Sequence, residues 1–238
     1  SSLLQERREQ AEEILRPPPA DKLIWRVPRS SEVLKQVATD SDTQLFQALV
    51  GYHRSISELP DDNHYKFLAA WDMHTYLMEK FEYYPIIWFY ATPARGKSRT
   101  AKGMVYVSWR GVIQTTVKEA QIRRLATNQR ATLFFDIMDL WKKVERGGVD
   151  DIMLHRFERG GKVPRVLDPD KGPFQDTTWF DISGPTIIAT NKTIDEILET
   201  RSIQIVMPET TRIFENDVKE LDALPFRERL VAFRARWI

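Results

Sequence analysis

Residues 85–90 (PIIWFY) form a short apolar run of β formers, and residues 91–98 (ATPARGKS) follow without a break. A buried strand that runs into a tight turn and then a helix is the setting of a phosphate-binding loop. Its pattern is G-x-x-x-x-G-K-[ST]. Gly96, Lys97 and Ser98 fit that pattern, and Ala91 stands at the first glycine position. The chemistry needs these residue types. Gly96 lets backbone N–H groups close around phosphate oxygens, Lys97 brings a point charge to the β and γ phosphates, and Ser98 offers a hydroxyl to Mg²⁺. The helix expected from about Lys97 turns its positive end to the anion. Ala91 adds one methyl group, which a loop with negative φ at that position accommodates. Pro93 shapes the turn, and Arg95 and Arg99 are candidates for touching phosphate. The competing reading is an arbitrary GKS in a basic turn.

Three more short apolar runs follow. Residues 131–135 (ATLFF) end on Asp136, residues 185–190 (PTIIAT) end on Asn191, and residues 202–207 (SIQIVM) come last. Short buried strands alternating with helical stretches predict an α/β fold with a parallel sheet flanked by helices. An apolar strand closed by Asp has the Walker B form, and Asp136 would hold Mg²⁺ through water. The following position, where an additional-strand NTPase usually carries Glu, is Ile137. Asp139 is the next acid, a candidate for metal or water and equally a helix N-cap. Asn191 at the third strand's tip suits a γ-phosphate sensor, with a turn or N-cap as its bland alternative. Arg201 could complete a neighbouring subunit's site as an arginine finger, or be a solvated surface arginine.

Helical patterning dominates the rest. Residues 3–16 read as a helix stopped by Pro17, Pro18 and Pro19. Residues 21–60 read as helices broken by caps near Ser30 or Ser31 and at Asp42. Residues 64–80 carry Phe67, Ala70, Trp71, His74 and Met78 at helical spacing. This divides the chain into an N-terminal helix and Pro linker (1–20), a helical region (21–84), an ATPase-like core (85–208) and a C-terminal helical segment (209–238). The last is mildly basic through Arg227, Arg229, Arg234 and Arg236, and is expected to begin a lid or winged-helix module. The first residue is Ser1 rather than Met, consistent with a processed or excised fragment.

Composition narrows the partners. Of 238 residues, 35 are Lys or Arg and 34 are Asp or Glu, so any nucleic-acid contact must come from a local patch. With no cysteine, a disulfide framework, a thiolate metal site and a cysteine nucleophile are excluded. The four histidines show no metal-ligand spacing and no evident carboxylate partner, and no G-x-S-x-G is present. No apolar run is long enough to span a membrane, and a cytoplasmic location is expected.

Residues 64–208 together resemble the AAA+ and superfamily 3 type of P-loop ATPase, and within it helicase or primase-associated ATPases of phages, plasmids and prokaryotes. The resemblance rests on HYKFLAAWDMHTYLMEKF, PIIWFYATPARGKSRTAKG, TLFFDIMDLW, GPTIIATN and TRSIQIVMPE, in that order. It implies ATP and Mg²⁺ as cofactors, single-stranded or forked DNA as partner, a homo-oligomeric ring and no membrane association. It also gives the segment between the second and third strands a role. Residues 162–167 and 177–182 alternate as two strands around the turn Asp168, Pro169, Asp170, Lys171, Gly172. In such motors a hairpin here follows the nucleic-acid backbone, which makes Lys171 at the tip and Lys162 and Arg165 on the arm candidate phosphate contacts. The alternative is a surface hairpin with ordinary charges.

The leading expectation is therefore a Mg²⁺-dependent ATPase, a hydrolase of the helicase or translocase kind acting in DNA replication. The first rival is an ATP-binding assembly or switch module with little turnover, motivated by Ala91 and Ile137. The second is a small-molecule kinase, which Asn191 and Arg201 fit poorly.

Overall fold

Strand β1 (Ile86–Tyr90) explains why its sequence shows no alternation. Ile87 and Phe89 enter one hydrophobic cluster while Ile86 and Trp88 enter another. Both faces of the strand are covered, as a central parallel strand requires. A computed structural model describes residues 24–92, 95–116, 118–136, 144, 150–167, 170, 172, 175–192, 194 and 196–238. Before β1 come α1 (Ser30–Thr39), α2 (Asp42–Ile56) and α3 (Asp62–Tyr76), then a 3-10 turn (Met78–Lys80). After it come α4 (Lys97–Val107), β2 (Val112–Gln114), α5 (Glu119–Gln129) and β3 (Leu133–Asp136). Then follow α6 (Asp150–His155), β4 (Lys162–Val166), β5 (Thr177–Asp181), β6 (Thr186–Thr190), α7 (Glu196–Thr200), β7 (Ser202–Val206) and α8 (Glu220–Trp237). The helix expected over residues 3–16 lies outside the described residues.

Five strands form a parallel sheet in the order β2-β3-β6-β1-β7. The fold is α/β, a parallel sheet flanked by helices, and β6 sits between β1 and the strand that ends on Asp136. The short edge strand β2 was not anticipated from sequence, since VIQ is too brief to carry a periodic signal. Strands β4 and β5 pair separately as an antiparallel hairpin, with Val163 opposite Phe180 and Arg165 opposite Thr178.

One face of the sheet packs against α2, α3, α4 and α8 through Leu49, Leu68, Trp71, Met104, Leu230 and Phe233. Residues from before position 84, such as Leu49 and Leu68, and from after position 208, such as Leu230 and Phe233, share this cluster with the strands. Gly103 lets α4 approach α2 closely: a Cβ there would stand 2.0 Å from Ile56 Cδ1, and the Tyr52 hydroxyl donates to the Gly103 carbonyl at 3.1 Å. The other face packs against α5, α6, α7 and the hairpin arms through Ile122, Met153, Leu198 and Val163.

The arginines of α8 are turned inward. Arg229 forms a bidentate pair with Asp40 at 2.8 and 2.9 Å, and Arg234 does the same with Glu79 at 2.7 and 2.8 Å. Arg236 reaches Asp42 at 2.6 Å, and Arg227 reaches Glu220 within its own helix at 2.6 Å. The segment expected as a lid is thus clamped to the helices that precede β1. Fork-shaped guanidinium–carboxylate pairs give such a seam direction as well as attraction. No described helix is long and apolar enough to cross a membrane.

Candidate functional site

The carboxyl edge of the sheet gathers most of the sequence-derived candidates. Gly96 caps α4 with φ +74° and ψ 5°, in the left-handed region. A Cβ at that position would meet nothing within 4 Å, so glycine is required there by conformation and not by space. The Thr100 N–H and hydroxyl both donate to the Gly96 carbonyl, at 2.9 and 3.1 Å, which ties the turn to the helix. Among the described residues only Arg110 and Arg130 combine a side chain with positive φ. Ala91 is therefore in ordinary backbone geometry, and its methyl group is buried in the core beneath the loop. Lys97 and Ser98 open the helix, where the first N–H groups lack intrahelical partners. Pro93 lies outside the described residues.

Ser98 Oγ donates to Asp136 Oδ1 at 3.0 Å. The register explains the meeting. Phe89 pairs with Ala189, and Ala189 with Asp136, so the three stand in one row across β1, β6 and β3. Asn191 follows Thr190, the last residue of β6, and is half-buried at the same edge between the loop and Asp136. Glycine-turn backbone, a lysine, a hydroxyl, a carboxylate and an amide are thus brought to one end of the sheet, outside the carboxyl ends of the strands where open α/β sheets bind ligands. Asp139 lies outside the described residues.

Two candidates are elsewhere. Arg99 donates from Nε to the Ile56 carbonyl at 2.7 Å and from Nη2 to the Asn216 carbonyl at 2.6 Å, and its guanidinium lies over the Phe214 ring. It fastens the α2 end and residues 214–216 to α4. Arg201 lies at the amino edge, where its carbonyl accepts from Ile86 N–H at 3.1 Å and its Nη1 donates to the Leu154 carbonyl at 2.8 Å. At about 3.3 Å per residue, β1 separates it from the loop by roughly 16 Å. It is not part of this chain's own loop site. Arg95 stays beside the loop, donating to Thr92 Oγ1 at 3.1 Å and facing Glu209 at 3.6 Å.

The expected hairpin forms and docks along α5. Asp181 at its base accepts from Thr127 Oγ1 at 2.8 Å, the Arg123 guanidinium covers the Phe180 ring at 4.4 Å, and Arg165 pairs with Glu119 at 2.5 Å. Arg165 is thus paired with a carboxylate of α5. Lys162 is exposed, and Lys171 lies outside the described residues. Arg123 and Thr127 of α5 thus hold this hairpin.

Sequence reading missed several residues. His53 Nε2 lies 2.6 Å from Asp72 Oδ2, with both side chains fully buried between α2 and α3. His64 Nδ1 similarly lies 2.9 Å from Asp61 Oδ1, so two carboxylate–histidine pairs exist where none was expected. Burial pushes the Asp72 carboxyl up to about 6 against the opposing pull of His53. Arg156 is fully buried, and burial pulls its guanidinium down to about 9. It donates to Thr186 Oγ1 and to the carbonyls of Ile182, Ala131 and Pro185 at 2.8 to 3.2 Å, tying together the loops at the amino edge. No local motif marks such a residue.

No family model matches the chain, and no curated protein does. Several solved structures resemble it, and two of them illustrate the likeness. One is the JCV helicase with a bound inhibitor, at 13% identity over 89% of this chain and 69% of that one, with a TM-score of 0.45. The other is the JCV helicase bound to a thiazolopyridinyl-phenoxyphenyl acetamide, at 11% identity over 92% of this chain and 64% of that one, with a TM-score of 0.43.

Proposed function

We propose that the chain is a Mg²⁺-dependent ATPase that couples hydrolysis to movement on, or remodelling of, DNA, as a replication-type helicase or translocase does. The observation that carries this reading is the hydrogen bond from Ser98 Oγ to Asp136 Oδ1. It joins the first turn after a phosphate-type loop to the acid of a strand two places away. A hydroxyl and a carboxylate are oxygen donors of the kind Mg²⁺ takes, so the pair fits the metal. Bound there, Mg²⁺ would neutralise charge on the phosphate oxygens.

The chain's own groups supply the rest. Lys97 offers its ammonium to the β and γ phosphates, and the N–H groups opened by Gly96 cradle them. The Asn191 amide can hydrogen-bond the γ-phosphate or the attacking water. By the family resemblance, Arg201, remote from its own loop, is the candidate arginine finger for the site of a neighbouring copy in a ring-like assembly. DNA is the partner implied by the family resemblance, and the docked hairpin with exposed Lys162 is the element offered to it.

The test is Lys97→Ala with DNA-stimulated phosphate release as the readout. Release should fall by about 100-fold or more, the scale of losing a charge aimed at the transition state. Unchanged release overturns the assignment. Tight ATP binding with turnover no greater than that of Asp136→Asn would instead indicate an ATP-binding switch.

A further inference from the structure

A groove of about 700 Å³ opens between the segment leading into α1, the turn after α4 and α8, where Ile24, Val27, Leu34, Trp109, Arg110 and Val231 line it. No described residue of the phosphate loop or the hairpin takes part. The rim is apolar and open. Leu34 on α1 is 71% exposed, and Ile24 and Val27 are each 55% exposed. Apolar side chains gathered at one exposed groove mark an interaction site. Arg110 adds a charge. Its guanidinium lies over the Trp109 ring at 4.8 Å and donates to the Gln129 carbonyl at 2.8 Å, and no carboxylate among the described residues pairs with it.

Ile24 is also the point at which residues 1–23 join the groove wall. Their sequence carries a matching face. At 3.6 residues per turn, Leu4, Ala11 and Leu15 fall on one line of the helix read over residues 3–16, with Leu3 and Ile14 on the line beside it. Glu6, Glu9 and Glu13 fall on the opposite side. Apolar residues at this spacing are what a helix-binding groove recognises. Glu12 borders the face, where a carboxylate can meet the unpaired Arg110. Pro17, Pro18 and Pro19 favour a straight polyproline strut of roughly 9 Å over a turn. That leaves only residues 20–23 to reverse the chain, so the strut directs the helix outward to another molecule.

We propose that this groove receives the apolar face of residues 3–16 of a second copy of the chain, so that an exchanged helix ties neighbouring protomers together. The groove and the helix are different surfaces of one chain, so each copy gives a helix to one neighbour and takes one from another. Such head-to-tail contacts close into a ring when the rotation between copies allows it. The inference is independent of the phosphate-loop reading, because it uses none of those residues.

The chain has no cysteine, which makes disulfide trapping a clean test. Full-length Leu34→Cys is mixed under mild oxidation with a differently tagged chain carrying Leu4→Cys, Ala11→Cys or Leu15→Cys. Leu34 is exposed, so its substitution leaves the core intact. At least one face position should give a covalent pair of unlike chains. Its yield should exceed that of Glu13→Cys, on the opposite side of the helix, by at least about 10-fold, because a seated segment raises the local thiol concentration. No cross-link from any face position, or an equal yield from Glu13→Cys, overturns the proposal. So does a bond found only within single chains that carry both substitutions, since the helix would then cover its own groove.

Discussion

The hydroxyl of Ser98 and the carboxylate of Asp136 meet at 3.0 Å, although 38 residues separate them and strand β6 lies between their strands. The contact depends on β1, β6 and β3 ending at the same level. It also ties the strength of metal binding to both residues. Ser98→Ala should raise the Mg²⁺ concentration needed for half-maximal phosphate release by roughly 10–100-fold. Tripolyphosphate binding without metal should stay near the unsubstituted level. Titration of Mg²⁺ at saturating ATP measures the first, and calorimetry the second.

Arg201 and Lys97 belong to opposite edges of one sheet, which makes a mixing experiment informative. Lys97→Ala and Arg201→Ala should each be nearly inactive alone. Mixed in equal amounts, they should recover about a quarter of the unsubstituted rate, because random assembly in a ring pairs an intact loop with an intact arginine at that frequency. No recovery on mixing, with assembly shown by sedimentation, argues against a shared site.

Gly96→Ala separates conformation from space. The new methyl group meets no atom, yet the left-handed backbone costs an L-residue roughly 1–2 kcal/mol. The chain should remain folded with a slightly lower Tm, while affinity for tripolyphosphate drops because the turn no longer aims its N–H groups. A circular dichroism melt and a binding titration on the same sample distinguish the two effects.

Arg156→Lys tests the amino edge. Four acceptors, from two loops and the first residue of β6, share one guanidinium, and an ammonium cannot reach all of them from one point. Buried carbonyls left unpaired cost about 1–3 kcal/mol each, so a total loss of about 2–4 kcal/mol in urea unfolding is expected.

Asp72→Ala removes the only hydrogen-bond partner that His53 has through its side chain among the described residues, since His53 Nδ1 has none. Breaking a buried pair in this way costs about 3–5 kcal/mol. Asp72→Asn keeps an oxygen facing the ring and should lose clearly less. Equilibrium denaturation of both variants checks the ordering.

Contiguous residues determined the loop, its flanking strand and helix, and the other long strands. Strand β1, Gly96 and α4 are encoded by local rules: apolar β formers, a left-handed turn position and helix formers act within a few residues of one another. Both faces of β1, β3 and β6 are buried, and so these strands were legible as solid apolar runs. Strand β2 was too short for that signal. Only the tertiary structure decided which charged groups face one another. Arg99 and Arg201, both legible as candidates, are turned to carbonyls far along the chain, Arg165 is matched by Glu119, and the α8 arginines are matched by Asp40, Asp42 and Glu79. His53, Asp72 and Arg156 carry no motif at all. A long side chain can satisfy its charge or its hydrogen bonds with any partner the fold brings near, so its neighbours follow from strand order and helix packing and not from sequence spacing.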